Sequence, residues 1–137
     1  TALDLTTAMQ ARSRERAQGL DMTWVRGDSM ALPFAANNFD HIVLHLILAV
    51  VPQPHCCLAE AARVLKSGGR IFLLDKFLRR GERAWLRRML TPLSRHIATR
   101  LDVVFEDVLE AAPQLKVLSD TPVLARGWFR IIELRKD

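Results

Sequence analysis

The stretch between residues 38 and 75 constrains this chain more than any other. An almost unbroken apolar run, 39–46, follows Asn37-Asn38. From Ile42 to Val51 only His45 interrupts the apolar sequence before Pro52 stops it. Pro52 and Pro54 then precede a segment with helical patterning, 55–65, and proline is tolerated in a first turn. Gly68-Gly69 supply a left-handed stop for that helix, and a second apolar strand follows at 70–75. Strand, helix and strand in this order make a parallel crossover unit. Near-continuous hydrophobicity in the first strand predicts a sheet covered on both faces.

The same alternation extends outward. Residues 1–5 read as the tail of a buried strand. Thr6 or Thr7 caps a helix to about residue 17, which Gly19 ends. Residues 22–26 form a second strand, followed at once by Gly27-Asp28. Beyond 75, Leu86, Leu90, Leu93 and Ile97 make one stripe on a helix over 80–98, which Pro92 kinks or splits. A short helix over 103–112 is ended by Pro113. Two strands, 116–124 and 128–135, are joined through Gly127, and so short a connection allows only an antiparallel pair. The expectation is one α/β domain over residues 1–137. Its sheet is Rossmann-like and doubly wound, mostly parallel, with a reversed C-terminal strand.

Composition excludes several classes. The chain has 137 residues, half of them hydrophobic and about a quarter charged, which suits a single globular core. No apolar run reaches the roughly 18 residues of a membrane span, and no signal peptide is visible. The two cysteines, Cys56 and Cys57, are adjacent. They cannot staple distant segments and match no metal-binding spacing, so they read as reduced thiols in a cytoplasmic protein, with no metal. The net charge is +5, and its excess is concentrated. Residues 76–100 contain Lys76, Arg79, Arg80, Arg83, Arg87, Arg88, Arg95 and Arg100 against one acid, Glu82. Such a segment is a solvated face over a buried leucine stripe, or it lies on an anionic membrane surface. No nucleic-acid motif accompanies the charge.

Three places carry candidate chemistry. Ligands of open α/β sheets sit beyond the carboxyl ends of the strands. Asp4 stands at such an end, where a carboxylate can accept hydrogen bonds from both ribose hydroxyls or else cap a helix. Gly27-Asp28 stands at the next end. There Gly27 lets the backbone turn close to a ligand, and Asp28 accepts from an exocyclic adenine amine, unless the pair is an ordinary turn. His45, at the end of the third strand, is a candidate base or substrate contact, or offers only its backbone. The order Glu60-Ala61-Ala62-Arg63-Val64-Leu65-Lys66-Ser67-Gly68-Gly69 is distinctive but reads as structural.

Taken together, Leu3-Asp4-Leu5-Thr6, Gly27-Asp28-Ser29-Met30-Ala31-Leu32-Pro33-Phe34, Asn38-Phe39-Asp40 and Arg63-Val64-Leu65-Lys66-Ser67-Gly68-Gly69 resemble the class I S-adenosylmethionine-dependent methyltransferases. The nearest branch is that of the ubiquinone/menaquinone C-methyltransferases and bacterial phospholipid N-methyltransferases. The resemblance runs the length of the chain and includes the closing hairpin with Trp128-Phe129. It implies S-adenosylmethionine as cofactor, with Asp4 on the ribose, Leu5 on one adenine face and Asp28 on the adenine amine. It also places the Ser29 backbone at the ring, Met30 nearby, and the His45 region on the methionine and methyl-transfer side. His45 is the one catalytic candidate, assisting deprotonation of an amine acceptor. The implied acceptor is a small molecule or lipid, phospholipid amine or quinone-like, with peripheral membrane contact through 76–100. That family's first strand and GxGxG loop should precede Asp4 by roughly twenty residues and have no counterpart here, so the expectation is a chain lacking its natural N-terminus. Two alternatives stand beside this reading. One is a non-catalytic or truncated binding module of the same fold. The other is a nicotinamide-dependent oxidoreductase, which shares the acid after the second strand.

Overall fold

A computed structural model describes residues 1–77, 103–124 and 129–137. Strand β1 (Ala2–Asp4) leads to helix α1 (Thr7–Arg16), and strand β2 (Trp24–Arg26) returns parallel to β1. Thr6 occupies the N-cap position of α1, and Gly19 adopts φ +86° just beyond its end. Strand β3 (Phe39–His45), helix α2 (Pro54–Val64) and strand β4 (Leu65–Lys76) form the expected crossover, with β3 and β4 parallel. Helix α3 (Phe105–Leu109) precedes strands β5 (Leu115–Pro122) and β6 (Phe129–Lys136). Strand β6 runs antiparallel to both β4 and β5, so the reversed final strand is present. The described strands form two sheets, ordered β1-β2 and β3-β4-β6-β5. The expected helix over 80–98, the leucine stripe and Trp128 lie outside the described residues.

The core lies on one face of the four-stranded sheet. Ile71 and Leu73 of β4 and Ile132 and Leu134 of β6 point into it, against Leu58, Ala61 and Ala62 of α2 and Phe105 and Val108 of α3. Burial of each such Leu or Ile contributes roughly 1.5–3 kcal/mol. The alternate positions face outward. Val43 of β3 is 72% exposed and Phe72 of β4 is 39% exposed. Among the described residues, β3 therefore lacks the cover on both faces expected from the apolar run 39–46. It is the edge strand of the described sheet, and of its residues Ile42 and Leu44 pack against the core.

The glycine pair also differs from expectation. Helix α2 ends at Val64, and Leu65 is already extended at ψ 138°. Gly68 and Gly69 sit past the helix, inside β4. There Phe39 pairs with Leu65 but His41 pairs with Arg70, so the β4 side carries extra residues. Gly68 takes φ +77° in this bulge. A Cβ at Gly69 would lie 2.8 Å from the Asp40 carbonyl oxygen. Glycine is needed here to shape a bulge and let two backbones approach, not to stop a helix.

A buried ion cluster closes the sheet at Arg130, which is 4% exposed on the core face of β6. Its Nε donates to Asp120 at 3.0 Å and its Nη2 donates to Glu106 at 3.0 Å. The guanidinium also lies over the rings of Phe77 and Phe105, 5.9 and 5.4 Å from their centroids. It thereby ties α3 to the β5–β6 hairpin.

Candidate functional site at the carboxyl strand ends

The β1–β2 ladder brings the two candidate acids together. Leu3 faces Val25 and Asp4 faces Arg26 in register, and the Gly27 amide donates to the Asp4 carbonyl at 3.2 Å. Asp4 and Asp28 therefore emerge from adjacent strands at the same end.

Each acid commits one oxygen to a local turn. Asp4 Oδ1 accepts from the Thr6 amide at 2.7 Å and from the Thr6 hydroxyl at 3.1 Å. Asp28 Oδ1 accepts from the Met30 amide at 2.8 Å. Such turns fix carboxylate direction. An ionised carboxyl offers about four lone-pair sites, and among the described residues no bond reaches Oδ2 of either acid. The turn reading is thus correct for one oxygen of each side chain, whereas the helix-cap reading of Asp4 is not, since Thr6 holds the N-cap position without a side-chain cap bond; the second oxygen of each acid keeps its capacity. Leu5, beside Asp4, is 61% exposed, an apolar surface next to a directed carboxylate.

Gly27 has a different duty from the one expected. Its φ is not positive, and an added Cβ would meet Leu3 Cδ1 at 3.0 Å and Pro33 Cδ at 3.1 Å. Pro33 packing fills the space that a ligand was expected to approach.

Ser29 joins this loop to α2. Its side chain lies close enough to the Cys57 thiol to favour the thiolate. Cys57 is buried, and burial pushes its thiol up, with smaller upward contributions from Asp28 and Asp75. Both cysteines are free, and among the described residues no His, Cys, Asp and Glu cluster has the makings of a metal site.

His45 ends β3, opposite Leu74, and is exposed. It alternates with Ile42 and Leu44, so its side chain leaves the sheet on the face away from the core. Leu46 follows in the left-handed region at φ 54° and donates to the Leu74 carbonyl at 2.8 Å. The turn is sharp, and for leucine it is strained. His45 is thus not brought against Asp4 or Asp28 by any described contact.

Two groups with positional roles escaped the sequence reading. Glu60 and Arg63 grip the loop that carries Asp28. Glu60 accepts from the Leu32 amide at 2.8 Å, while Arg63 donates to the carbonyls of Phe34 at 2.9 Å and Leu32 at 3.0 Å. Their own ion pair closes at 2.7 Å. Arg63 beside it holds the Glu60 carboxyl below its ordinary range. The i, i+3 spacing of Glu60 and Arg63 on one helix was the available signal. The second group is Asp75, a buried carboxylate at the end of β4. A separate cleft of about 300 Å³ lies between the start of α2 and α3, lined by Pro52, Pro54, His55, Val103, Val104, Asp107 and Val108. It contains none of the candidate cofactor-binding or catalytic residues.

Comparisons with known proteins bear on the family and the fold. The profile of the methyltransferase domain family matches residues 1–73. The chain is 46% identical over 79 residues to the ubiquinone/menaquinone biosynthesis C-methyltransferase UbiE of Ruegeria sp. (strain TM1040), a match covering 55% of the chain and 32% of that relative. It is 28% identical over 141 residues to a phosphatidylethanolamine N-methyltransferase of Cereibacter sphaeroides, covering 99% of the chain and 69% of that protein. The chain thus spans about a third of the quinone enzyme and about two thirds of the phospholipid enzyme. Among solved structures, a candidate methyltransferase from Bacillus halodurans superposes with a TM-score of 0.79 at 19% identity, covering 98% of this chain and 81% of that one. The [4+2]-cyclase SpnF superposes at 0.72 and 19% identity, covering 98% and 64%. The strand order, the reversed β6 and a family match over more than half of the sequence lead to one assignment: the chain belongs to the methyltransferase domain family and has the class I, Rossmann-like fold.

Proposed function

We propose that the protein transfers a methyl group from S-adenosylmethionine to a small-molecule or lipid acceptor. The observation that carries the reading is the pairing of Asp4 and Asp28 at adjoining strand ends, each directed by a local turn through one oxygen. The residues present fit the adenosine half of the cofactor. Asp4 accepts from the ribose hydroxyls, exposed Leu5 covers one adenine face, and Asp28 accepts from the adenine amine. The Ser29 backbone and Met30 border the ring. When bound, the cofactor supplies an electrophilic methyl group on a sulfonium. The chain's own part is placement and exclusion of water. Glu60 and Arg63 keep the Asp28 loop in its shape, and His45 takes a proton from an amine acceptor.

Acceptor class rests on two supports. The relatives include enzymes named for quinone C-methylation and for phosphatidylethanolamine N-methylation. The basic segment 76–100 suits an anionic lipid surface. Among the described residues no helix is long and apolar enough to cross a membrane. Titration of the full-length protein with S-adenosylmethionine and with NAD tests the reading. Saturable binding of the first alone supports it, and preference for NAD overturns it. Flotation with anionic and neutral vesicles tests the lipid surface: equal failure with both removes it.

A further inference from the structure

Among the described residues, one buried charged group at the carboxyl strand ends has no part in the scheme above. Asp75, the penultimate residue of β4, is 1% exposed. Its Oδ2 accepts from the Ala49 amide at 3.1 Å and its Oδ1 from its neighbour Lys76 at 2.8 Å. The Leu48 backbone lies close enough to favour the ionised carboxylate as well. Ala49 and Leu48 belong to the loop that leaves β3 after His45 and enters α2 at Pro54. Both are fully buried, whereas Leu46 and Val50 on the same loop are 38% and 45% exposed. The loop is thus anchored from below at its middle and offers its flanks outward.

The anchoring is not a by-product of packing. A desolvated carboxylate is costly unless several N–H groups face it. Burial pushes Asp75 up, while the backbone of Lys76, Ala49 and Leu48 pulls it back down. The loop also starts from the strained Leu46 at φ 54°, a conformation that persists only where surrounding contacts hold it. Two backbone turns, at Val50 and Val51, close onto the Ile47 carbonyl at 3.1 and 3.0 Å. They shape the loop locally but do not tie it to the sheet. Asp75 and the Leu46–Leu74 bond make that tie by hydrogen bonds, beside the packing of Leu48 and Val51 in the core.

We infer that Asp75 is a positioning residue: its carboxylate sets the 46–51 loop over the carboxyl ends of β3 and β4, where that loop borders the methionine half of the cofactor. The orientation toward the methionine half rests on the function proposed above. The anchoring of the loop does not.

The test separates the two. Amide exchange is followed by NMR in the full-length protein, in Asp75→Ala and in Asp75→Asn, where one acceptor oxygen is replaced by a donor. Binding of S-adenosylhomocysteine and of adenosine is measured on the same three proteins. Exchange at Leu48 and Ala49 should rise at least tenfold in Asp75→Ala and less in Asp75→Asn, with Ile71 and Ile132 unchanged. S-adenosylhomocysteine should bind roughly tenfold more weakly to Asp75→Ala, and adenosine within twofold of the parent. If Asp75→Ala does not fold, Asp75→Asn carries both readouts. Unchanged protection at Leu48 and Ala49 overturns the anchoring. Equal loss for both ligands, or loss for neither, overturns the positioning. A parent protein that binds neither ligand defeats the proposed function instead, and the exchange result still decides whether Asp75 holds the loop.

Discussion

At the scale of single residues, the site depends on carboxylates used twice. Asp4 and Asp28 each accept a backbone amide through Oδ1 and present Oδ2 in a fixed direction. The acids and their strand-end positions were legible in the sequence, because short apolar runs end just before them. The turns were legible only as competing readings, and the geometry shows that one side chain serves both purposes. Gly27 was misjudged because a glycine before an acid looks the same whether it admits a ligand or a proline. Leu3 and Pro33 occupy its space. His45 was legible as a strand-end histidine, yet the period of two sends it to the face away from the core. In the full-length enzyme, His45→Ala should lower kcat toward an amine acceptor at least tenfold without changing S-adenosylmethionine affinity. Unchanged turnover removes it from the mechanism.

Glu60 gives a pH dependence with a defined sign. Arg63 and the Leu32 amide hold its folded pKa below the ordinary value. Its stabilising contribution is therefore fully present above the unfolded glutamate pKa and is lost as pH falls through the lowered folded value. Thermal melts of the parent should show this acid-side loss, and Glu60→Gln should flatten it. Because the pair is partly exposed, Glu60→Ala is expected to cost only about 1–2 kcal/mol in chemical denaturation.

At the scale of elements, the βαβ crossover and the reversed hairpin followed from periodicity and turn spacing. Helix α1 and strand β3 fall within a residue or so of expectation. The boundary between α2 and β4 did not, since Gly68-Gly69 resembles a helix stop. The residues before it already pair with Phe39, and a bulge absorbs the difference. A one-sequence pattern does not encode cross-strand register, so this could not be read in advance. Gly69→Ala should destabilise by about 1–3 kcal/mol through overpacking against the Asp40 carbonyl. A denaturation midpoint equal to the parent's would show that the two backbones have room to part. The Arg130 cluster was equally invisible, because Glu106, Asp120 and Arg130 are far apart in sequence. Arg130→Met removes charged hydrogen bonds from Glu106 and Asp120, each about a third exposed, and should cost about 2 kcal/mol. Loss below about 1 kcal/mol would mean that the aromatic rings, not the charges, hold α3.

At the scale of the molecule, α2 packs on the four-stranded sheet and also holds the loop that follows β2. Glu60 and Arg63 reach the loop after β2, and Cys57 reaches Ser29. This arrangement explains why so much of the fold was legible and the acceptor was not. Crossover order is set by local patterning, whereas acceptor choice depends on surfaces that no short motif describes. The fold likewise does not select the chemistry, for a [4+2]-cyclase superposes on this chain as closely as structures named as methyltransferases do. Residue chemistry at the strand ends therefore has to carry the functional claim.

Calorimetric titration of the full-length protein with S-adenosylmethionine, beside Asp4→Ala and Asp28→Ala, tests that claim most directly. Hydrogen bonds to charged groups are worth about 1.5–3 kcal/mol, and each 1.4 kcal/mol is roughly tenfold in affinity. The account predicts saturable binding by the parent and a weakening of about tenfold to a hundredfold in each variant, with folding retained. Binding by both variants at the parent's affinity would contradict it, for the cofactor would then lie somewhere other than between Asp4 and Asp28.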